Sequence, residues 1–142
     1  MSAEEKRAWI MAVVAAGAYS TYVALVVSGA DGGAITRSPY VATLLWTIGI
    51  SVLATIVLDV VAAIASPSEC DKKDQRDREI YRFGEYVGHW VLVAGAVAAL
   101  GMSMARLDYF WIANVIYLAF VASAILASVA KIVAYRRGFQ PW

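Results

Sequence analysis

The fold is decided by the stretch YVATLLWTIGISVLATIVLDVVAAIA, residues 40–65. It is long and apolar enough to cross a lipid bilayer as one helix, for which roughly 20 residues suffice. Small polar side chains interrupt it at four-residue intervals and lead to the carboxylate of Asp59. This polar ladder consists of Thr43, Thr47, Ser51 and Thr55. Because residues four apart share one side of a helix, the stretch predicts a membrane helix with a polar side that ends in an acid.

Three further apolar stretches of similar length lie at about 9–29, 84–105 and 111–135. The chain of 142 residues is 61% hydrophobic and 16% charged, which leaves too little polar surface for a water-soluble domain of this size. The loops are short and leave no room for a second domain. We therefore expect an all-α polytopic membrane protein, in which residues 1–142 form a single bundle of four transmembrane helices.

The basic residues are sorted along the chain. They concentrate before the first span, between the second and third spans, and after the fourth, whereas the other two loops contain only Arg37 and Arg106. By the positive-inside rule, this distribution predicts that both termini and the central loop are cytoplasmic. The formal net charge of +1 gives no indication of nucleic-acid binding.

Small residues indicate where membrane helices approach one another. The third span contains Gly84 and Gly88, with Gly95 further along. The first span has a small-residue stripe at four-residue spacing, formed by Ala12, Ala16, Ser20, Ala24 and Ser28. The fourth span has a seam in alternating steps of three and four, formed by Asn114, Tyr117, Val121, Ala124, Ser128, Lys131 and Tyr135. We interpret all three as packing faces, and because they exceed what one bundle must use internally, we expect self-association.

The segment from residue 69 to 83 mixes acids and bases at helix-pair spacings and predicts that the third helix projects into the cytoplasm. We interpret its charged side chains first as a solvated surface on which acids and bases pair with one another. The alternative is a docking face for a cytoplasmic or membrane partner. The residues of this docking face are Asp74, Arg76, Asp77 and Arg78.

A charged layer is predicted near the cytoplasmic boundary. Asp59 and Lys131 both lie about 30 Å from the outer ends of spans that run in the same direction. Glu85 and His89, four residues apart on the third span, reach a similar depth. Since ionisable groups in membranes pair with one another, we expect these four residues to form a layer, with Asp59 and Lys131 as the ion pair. The layer would either lock helices together or bind a small ligand or ion.

Two considerations limit a chemical role for this region. Hydroxyls in membrane helices usually bond to a carbonyl one turn back, and four-residue steps drift by about 40° each, so the polar ladder does not favour a continuous water path. Glu85 and His89 have ligand-compatible spacing, but a single histidine without cysteine is a poor transition-metal signature. We expect no metal and no cofactor. If the protein is an enzyme, His89 with Asp59 or Glu85 would be the acid-base pair and the substrate would be lipid-soluble.

Residues 71–138 resemble small, uncharacterised bacterial four-helix integral membrane proteins that carry an Asp-Glu-Arg motif before the third helix. Here the motif is Asp74-Gln75-Arg76, with a different middle residue, followed by Gly84 and by Tyr135-Arg136-Arg137-Gly138 near the end. The resemblance implies a four-helix protein of the bacterial cytoplasmic (inner) membrane. It implies no activity.

Three classes of function follow from these features. The first is binding or translocation of an ion or small polar ligand by the layer of Asp59, Glu85, His89 and Lys131, in a homo-oligomer. The second is a structural or regulatory membrane protein that acts through its charged cytoplasmic helix. The third is a lipid-phase enzyme. We favour the first, with membrane lipid, a second copy and a protein bound to the docking face as the expected partners.

Overall fold

The computed structural model describes residues 3–30, 32–37, 39–65 and 75–137, and it is all-helical. Its four long helices are α1 (Ala3–Ser28), α2 (Tyr40–Ala65), α3 (Gln75–Met104) and α4 (Tyr109–Arg137), and a short 3-10 helix, Ile35–Arg37, precedes α2. All four are long and apolar enough to cross a membrane. The predicted all-α, four-helix fold is confirmed, and α2 begins and ends at the residues predicted for the second span.

The third helix is longer than its apolar part. α3 begins at Gln75, so the charged segment runs into the apolar segment as one helix of 30 residues, about 45 Å long. That length exceeds the roughly 30 Å hydrocarbon core of a bilayer, so one end of α3 extends beyond a membrane that the apolar part spans. Residues 69–74 of the predicted extension lie outside the described residues.

Helix α4 is the central helix of the packing. It packs along α3 and along α1, and α1 in turn packs along α2, so α2 lies at the edge. Arg136, near the end of α4, lies 3.5 Å from Glu5, near the start of α1. These contacts put the start of α1 and the end of α4 together, and we call this the termini end of the bundle. The start of α3 lies there too, because Tyr135 of α4 bonds to Asp77 of α3.

A tight turn at the opposite end sets α3 against α4. Arg106 has a left-handed backbone (φ 57°), and the amides of Arg106 and Leu107 bond to the carbonyls of Ser103 and Met102. This pattern closes the carboxyl end of a helix. Asp108 then caps α4 by accepting the Phe110 amide at 3.0 Å. The two helices consequently run antiparallel from the turn onward.

The seam predicted for α4 is confirmed. Every one of its seven residues is buried or half-buried. Near the turn, Tyr117 and Val121 pack with Phe110 against Tyr22 and Val26 of α1 to form the core cluster. Towards the termini end, the seam faces α3 through Lys131 and Tyr135.

The glycine face predicted for α3 is confirmed as well. A Cβ atom added to Gly88 would lie 3.0 Å from the Ser123 Oγ of α4, and one added to Gly95 would collide with the Ala119 Cβ. Ser123 also donates its hydroxyl hydrogen to the Gly88 carbonyl at 2.8 Å. The glycines therefore allow two backbones to approach closely enough for a hydrogen bond between helices.

The small-residue stripe predicted as a packing face of α1 is not used for packing among the described residues of one chain, so packing against a second copy stays a prediction. Four of its five members are exposed and Ala12 is half-buried. α1 instead buries Ala8, Tyr22 and Val26. The physical reason is that α1 meets α4 through large aromatic rings, with Tyr22 and Tyr117 edge to face at 5.1 Å, so that small residues are not needed at this contact.

Candidate functional site

Lys131 forms an ion pair with Glu85, not with Asp59. Its Nζ lies 2.8 Å from the Glu85 Oε1 and 4.1 Å from the centre of the Tyr81 ring. The Lys131 side chain is 10% exposed, whereas that of Glu85 is 55% exposed. The predicted pair of Asp59 and Lys131 is wrong, because α4 is adjacent to α3 while α2 packs on α1. Counting residues from the outer ends of the two spans put Asp59 and Lys131 at the same depth. The count did not show which helices face each other.

A glycine makes room for this ion pair. A Cβ atom on Gly84 would lie 2.5 Å from the Lys131 Cγ and 2.6 Å from its Cε. The aliphatic part of Lys131 therefore lies directly across Gly84. Its ammonium group can then reach Glu85, the next residue along α3, while the stem stays buried.

Asp59 is left with an unsatisfied oxygen. Its side chain is half-buried in α2, and its Oδ1 is shielded from solvent without a hydrogen-bond partner among the described residues. Two hydroxyls on α4, those of Tyr117 and Ser128, share this condition. An unpartnered hydroxyl is a modest cost, but an ionised carboxylate in the same state is far more costly. Asp59 is therefore the group in the apolar part of the chain with the strongest physical need for a proton or a cation.

His89 does not join the layer. It is exposed on α3, and no hydrogen bond or ion pair reaches it from the described part of the chain. Of the four predicted layer residues, the structure thus brings together Glu85 and Lys131. Across residues 3–30, 32–37, 39–65 and 75–137, no group of three or more histidine, cysteine, aspartate or glutamate side chains is placed to hold a metal ion.

Three of the four hydroxyls of the polar ladder, those of Thr47, Ser51 and Thr55, bond to their own helix. Thr47 donates to the carbonyls of Thr43 and Leu44 at 2.9 and 3.0 Å. Thr55 donates to the carbonyl of Ser51 at 2.8 Å, and the Ser51 hydroxyl bonds one turn back in the same way. Each of these hydroxyls donates its hydrogen to a carbonyl of α2. They therefore do not form a chain of hydrogen-bond donors for water or a permeating ion.

Ion pairs and aromatic contacts connect three helices at the termini end. The Tyr135 hydroxyl of α4 donates to the Asp77 Oδ1 of α3 at 2.9 Å. The Arg136 guanidinium contacts Glu5 of α1 and lies 5.8 Å from the Trp9 ring. Sequence reasoning missed these contacts. The signal that could have found them is that the charged starts of α1 and α3 and the charged end of α4 all belong to the side predicted as cytoplasmic.

The predicted docking face is only partly free. Asp77 faces α4 and is held by Tyr135. Arg76 and Arg78 are exposed on α3, as expected for a surface that could meet a partner. Asp74 lies outside the described residues.

A groove lies beside this face, between the starts of α1 and α3. It has a volume of about 280 Å³. Its walls contain charges of both signs and one aromatic ring, from Glu4, Asp77, Arg78, Tyr81 and Arg82. The Tyr81 ring also contacts the Lys131 ammonium, so the groove adjoins the ion pair of Lys131 and Glu85.

A second polar contact lies near the opposite end of the bundle. The Tyr22 hydroxyl of α1 donates to the Asn114 Oδ1 of α4 at 2.8 Å, and the Asn114 Nδ2 donates to the Phe110 carbonyl at 2.8 Å. The Tyr22 hydroxyl in the first span therefore has its hydrogen-bond partner on a neighbouring helix. This contact fixes α1 on α4, which is typical of a structural contact between membrane helices.

Comparison of the chain with protein families, with curated proteins and with solved structures finds no match. The function must therefore be argued from the site itself.

Proposed function

We propose that this protein is a multi-pass protein of the bacterial cytoplasmic membrane, with both termini in the cytoplasm, that binds a small cation at Asp59. The cation is a proton or a small metal ion. The orientation is supported by the distribution of basic residues, and the bacterial location by the resemblance of residues 71–138 to four-helix bacterial membrane proteins. Translocation of the cation would follow if binding is coupled to movement across the membrane.

The observation that carries this proposal is the shielded Oδ1 of Asp59, which has no hydrogen-bond partner within residues 3–30, 32–37, 39–65 and 75–137. Lys131, the cation at similar depth, is held by Glu85 at 2.8 Å and does not neutralise Asp59. Carboxylates in apolar spans are costly unless they are protonated or paired, and such residues mark ion or proton sites in membrane proteins. Lys131 pairs with the carboxylate of Glu85, whereas no described residue bonds to the Oδ1 of Asp59.

We further propose that the ion reaches Asp59 along a surface between two copies of the chain. The ladder hydroxyls are engaged within α2, which argues against a path inside one bundle. α2 lies at the edge and exposes large apolar residues along its length, including Leu45, Leu53 and Ile64. The small-residue stripe of α1 is also exposed and would allow close approach of a second helix. Cross-linking in native membranes that yields only monomer would contradict this arrangement.

Flux through reconstituted vesicles tests the cation proposal. Purified protein in proteoliposomes with an internal pH dye, or with a dye for the ion used, should dissipate an imposed gradient. Asp59→Asn should abolish the flux, and Asp59→Glu should retain part of it because the acid is kept. Thr55→Val, one turn away, is the matched control and should leave the flux unchanged. Equal flux for Asp59→Asn and the unsubstituted protein would overturn the proposal.

A second candidate, a regulatory role through the charged start of α3, is favoured by the exposed Arg76 and Arg78 beside the groove. Replacing both with glutamine should then remove a specific protein that copurifies from native membranes. Unchanged copurifying partners would count against this role.

A further inference from the structure

The groove at the termini end has features that the cation proposal does not use. It is formed by the first turns of α1 and α3, at the level where the apolar spans end, and it contains charges of both signs. Its volume of about 280 Å³ is at the lower end of the roughly 300–1,000 Å³ range of ligand pockets. A small charged group fits this space.

The two arginines of the groove have no acid partner in the described part of the chain. Arg78 and Arg82 are exposed, and neither takes part in a hydrogen bond or an ion pair there. They are four residues apart and so share one side of α3. Two guanidinium groups on one side of a helix are well suited to a phosphate, which they bind through paired hydrogen bonds.

The carboxylates of Asp77 and Glu4 line the same space. Asp77 accepts the Tyr135 hydroxyl on its Oδ1, and because a carboxylate has about four acceptor positions, Asp77 can accept more hydrogen bonds. Glu4 forms an ion pair with Arg7 at 3.4 Å. A purely anionic ligand would meet these two negative charges unfavourably. A ligand that carries an ammonium group beside its phosphate complements both pairs of charges.

An aromatic row connects the groove to the apolar part of α3. Tyr86 follows Arg82 at a four-residue step and Trp90 follows Tyr86 at another, so neighbouring members of this row are adjacent on the helix surface while the row turns gradually around α3. Both are largely exposed, at 62% and 58%, and their rings contact each other edge to face at 6.2 Å. A molecule with its charged group at the arginines would lay an attached hydrocarbon chain along these rings. This favours a membrane lipid over a free phosphate compound as the source of the ligand.

We propose that the groove is a binding site for a phosphoethanolamine lipid headgroup. Arg78 and Arg82 bind the phosphate, Asp77 and Glu4 accept hydrogen bonds from the primary ammonium, and an acyl chain follows Tyr86 and Trp90. The site shares no residue with the cation proposal for Asp59, so the two can fail independently. The headgroup would also join the start of α1 to the start of α3, since its two charged groups contact both helices.

The test is a competition among headgroups. The full chain is reconstituted in vesicles with equal amounts of phosphatidylethanolamine, phosphatidylglycerol and phosphatidylcholine. It is then extracted gently, and the retained lipids are measured by native mass spectrometry. We expect phosphatidylethanolamine to be retained in preference to both others, because only it has a phosphate beside an ammonium that can donate hydrogen bonds. Equal retention of all three, or preference for phosphatidylglycerol or phosphatidylcholine, would overturn the proposal.

Single substitutions test whether the lipid binds in this groove. Arg82→Gln should reduce the retained phosphatidylethanolamine about tenfold, the effect of losing one charge-assisted contact. Asp77→Asn should reduce the preference over phosphatidylglycerol. Arg37→Gln, an exposed arginine at the opposite end of the bundle, is the matched control and should change nothing. If Arg82→Gln and Arg37→Gln retain the same lipids in the same amounts, the lipid binds elsewhere and the proposal is wrong.

Two further tests distinguish a bound lipid from a free phosphate compound. Trp90→Ala should lower total lipid retention and keep the order of headgroup preference. Millimolar O-phosphoethanolamine in the buffer should not displace the lipid, because it lacks the chain. Complete displacement, or unchanged retention in Trp90→Ala, would contradict the lipid as the occupant.

Discussion

The contact between α3 and α4 and the polar side of α2 look alike in the sequence but differ in the structure. Both have small or polar residues at four-residue spacing. On α3, the glycines receive the side chains of α4, and Ser123 bonds across to the Gly88 carbonyl. On α2, three hydroxyls bond to their own helix, and the side ends at Asp59, whose Oδ1 has no partner in the described part of the chain. The comparison teaches that one region joins two helices while the other leaves a carboxylate oxygen without a bond to a neighbouring helix.

The largest effect is expected from filling the glycine contact. Gly95→Val places a branched side chain where even a Cβ collides with Ala119, and it should destabilise the protein by about 1–3 kcal/mol. Thermal unfolding in detergent measures this. Gly101→Val is the matched control, because a Cβ at Gly101 meets nothing within 4 Å. Equal losses for both variants would show that the change in helix propensity, and not the contact, is responsible.

The next effect concerns the ion pair. Glu85→Gln removes the acid that pairs with the buried Lys131 ammonium, and because the Glu85 side chain is 55% exposed, it should cost about 1 kcal/mol. Lys131→Met should couple to it in a double-mutant cycle, because the two side chains are in contact. Asp59→Asn combined with Lys131→Met should be additive. Coupling of Lys131 to Asp59 instead of Glu85 would break the distinction between the two regions.

A smaller effect is expected where α1 meets α4. Tyr22→Phe removes the hydrogen bond to Asn114 and should destabilise by about 0.6 kcal/mol, the average for hydrogen bonds between membrane helices. Tyr109→Phe is the control, because Tyr109 is 84% exposed. If the control loses as much stability, the Tyr22 bond contributes nothing measurable.

The smallest effect is expected on the polar ladder. Thr55→Val removes a bond that stays within α2 and should change stability by less than about 0.5 kcal/mol. Ser123→Ala removes a hydroxyl that bonds between helices, and it should cost more. The same unfolding assay compares them. A larger loss for Thr55→Val would mean that the ladder contributes to packing after all.

The fold could be predicted because each part of the argument depended on local sequence. Apolar length predicted the four helices, the spacing in α4 predicted its buried seam, and Gly84, Gly88 and Gly95 predicted a close contact. Counting residues also placed Asp59 and Lys131 at one depth. The order of helices around the bundle is not local, so their pairing was predicted wrongly. The groove was missed for the same reason, because it depends on where the start of α1 lies relative to α3.

The first helix shows a different limit. A small-residue stripe predicts a face that another helix can approach, but it does not say whether that helix belongs to the same chain. In the structure, α1 uses Tyr22 and Val26 inside the bundle and leaves the stripe exposed. Spacing correctly predicted a close contact at α3, whereas at α1 it predicted a face that the described residues of one chain do not cover.

The central claim is that Asp59 is the acid that binds the cation, and its chemical reactivity tests this most directly. A membrane-permeant carbodiimide reacts with protonated carboxyl groups in the apolar phase, and mass spectrometry of the labelled protein in vesicles identifies the site. We predict labelling at Asp59 that decreases when the cation used in the flux assay is added, with little labelling at Glu85, whose carboxylate contacts Lys131 at 2.8 Å. Labelling at Glu85 in preference to Asp59, or labelling of Asp59 that no cation changes, would contradict the claim.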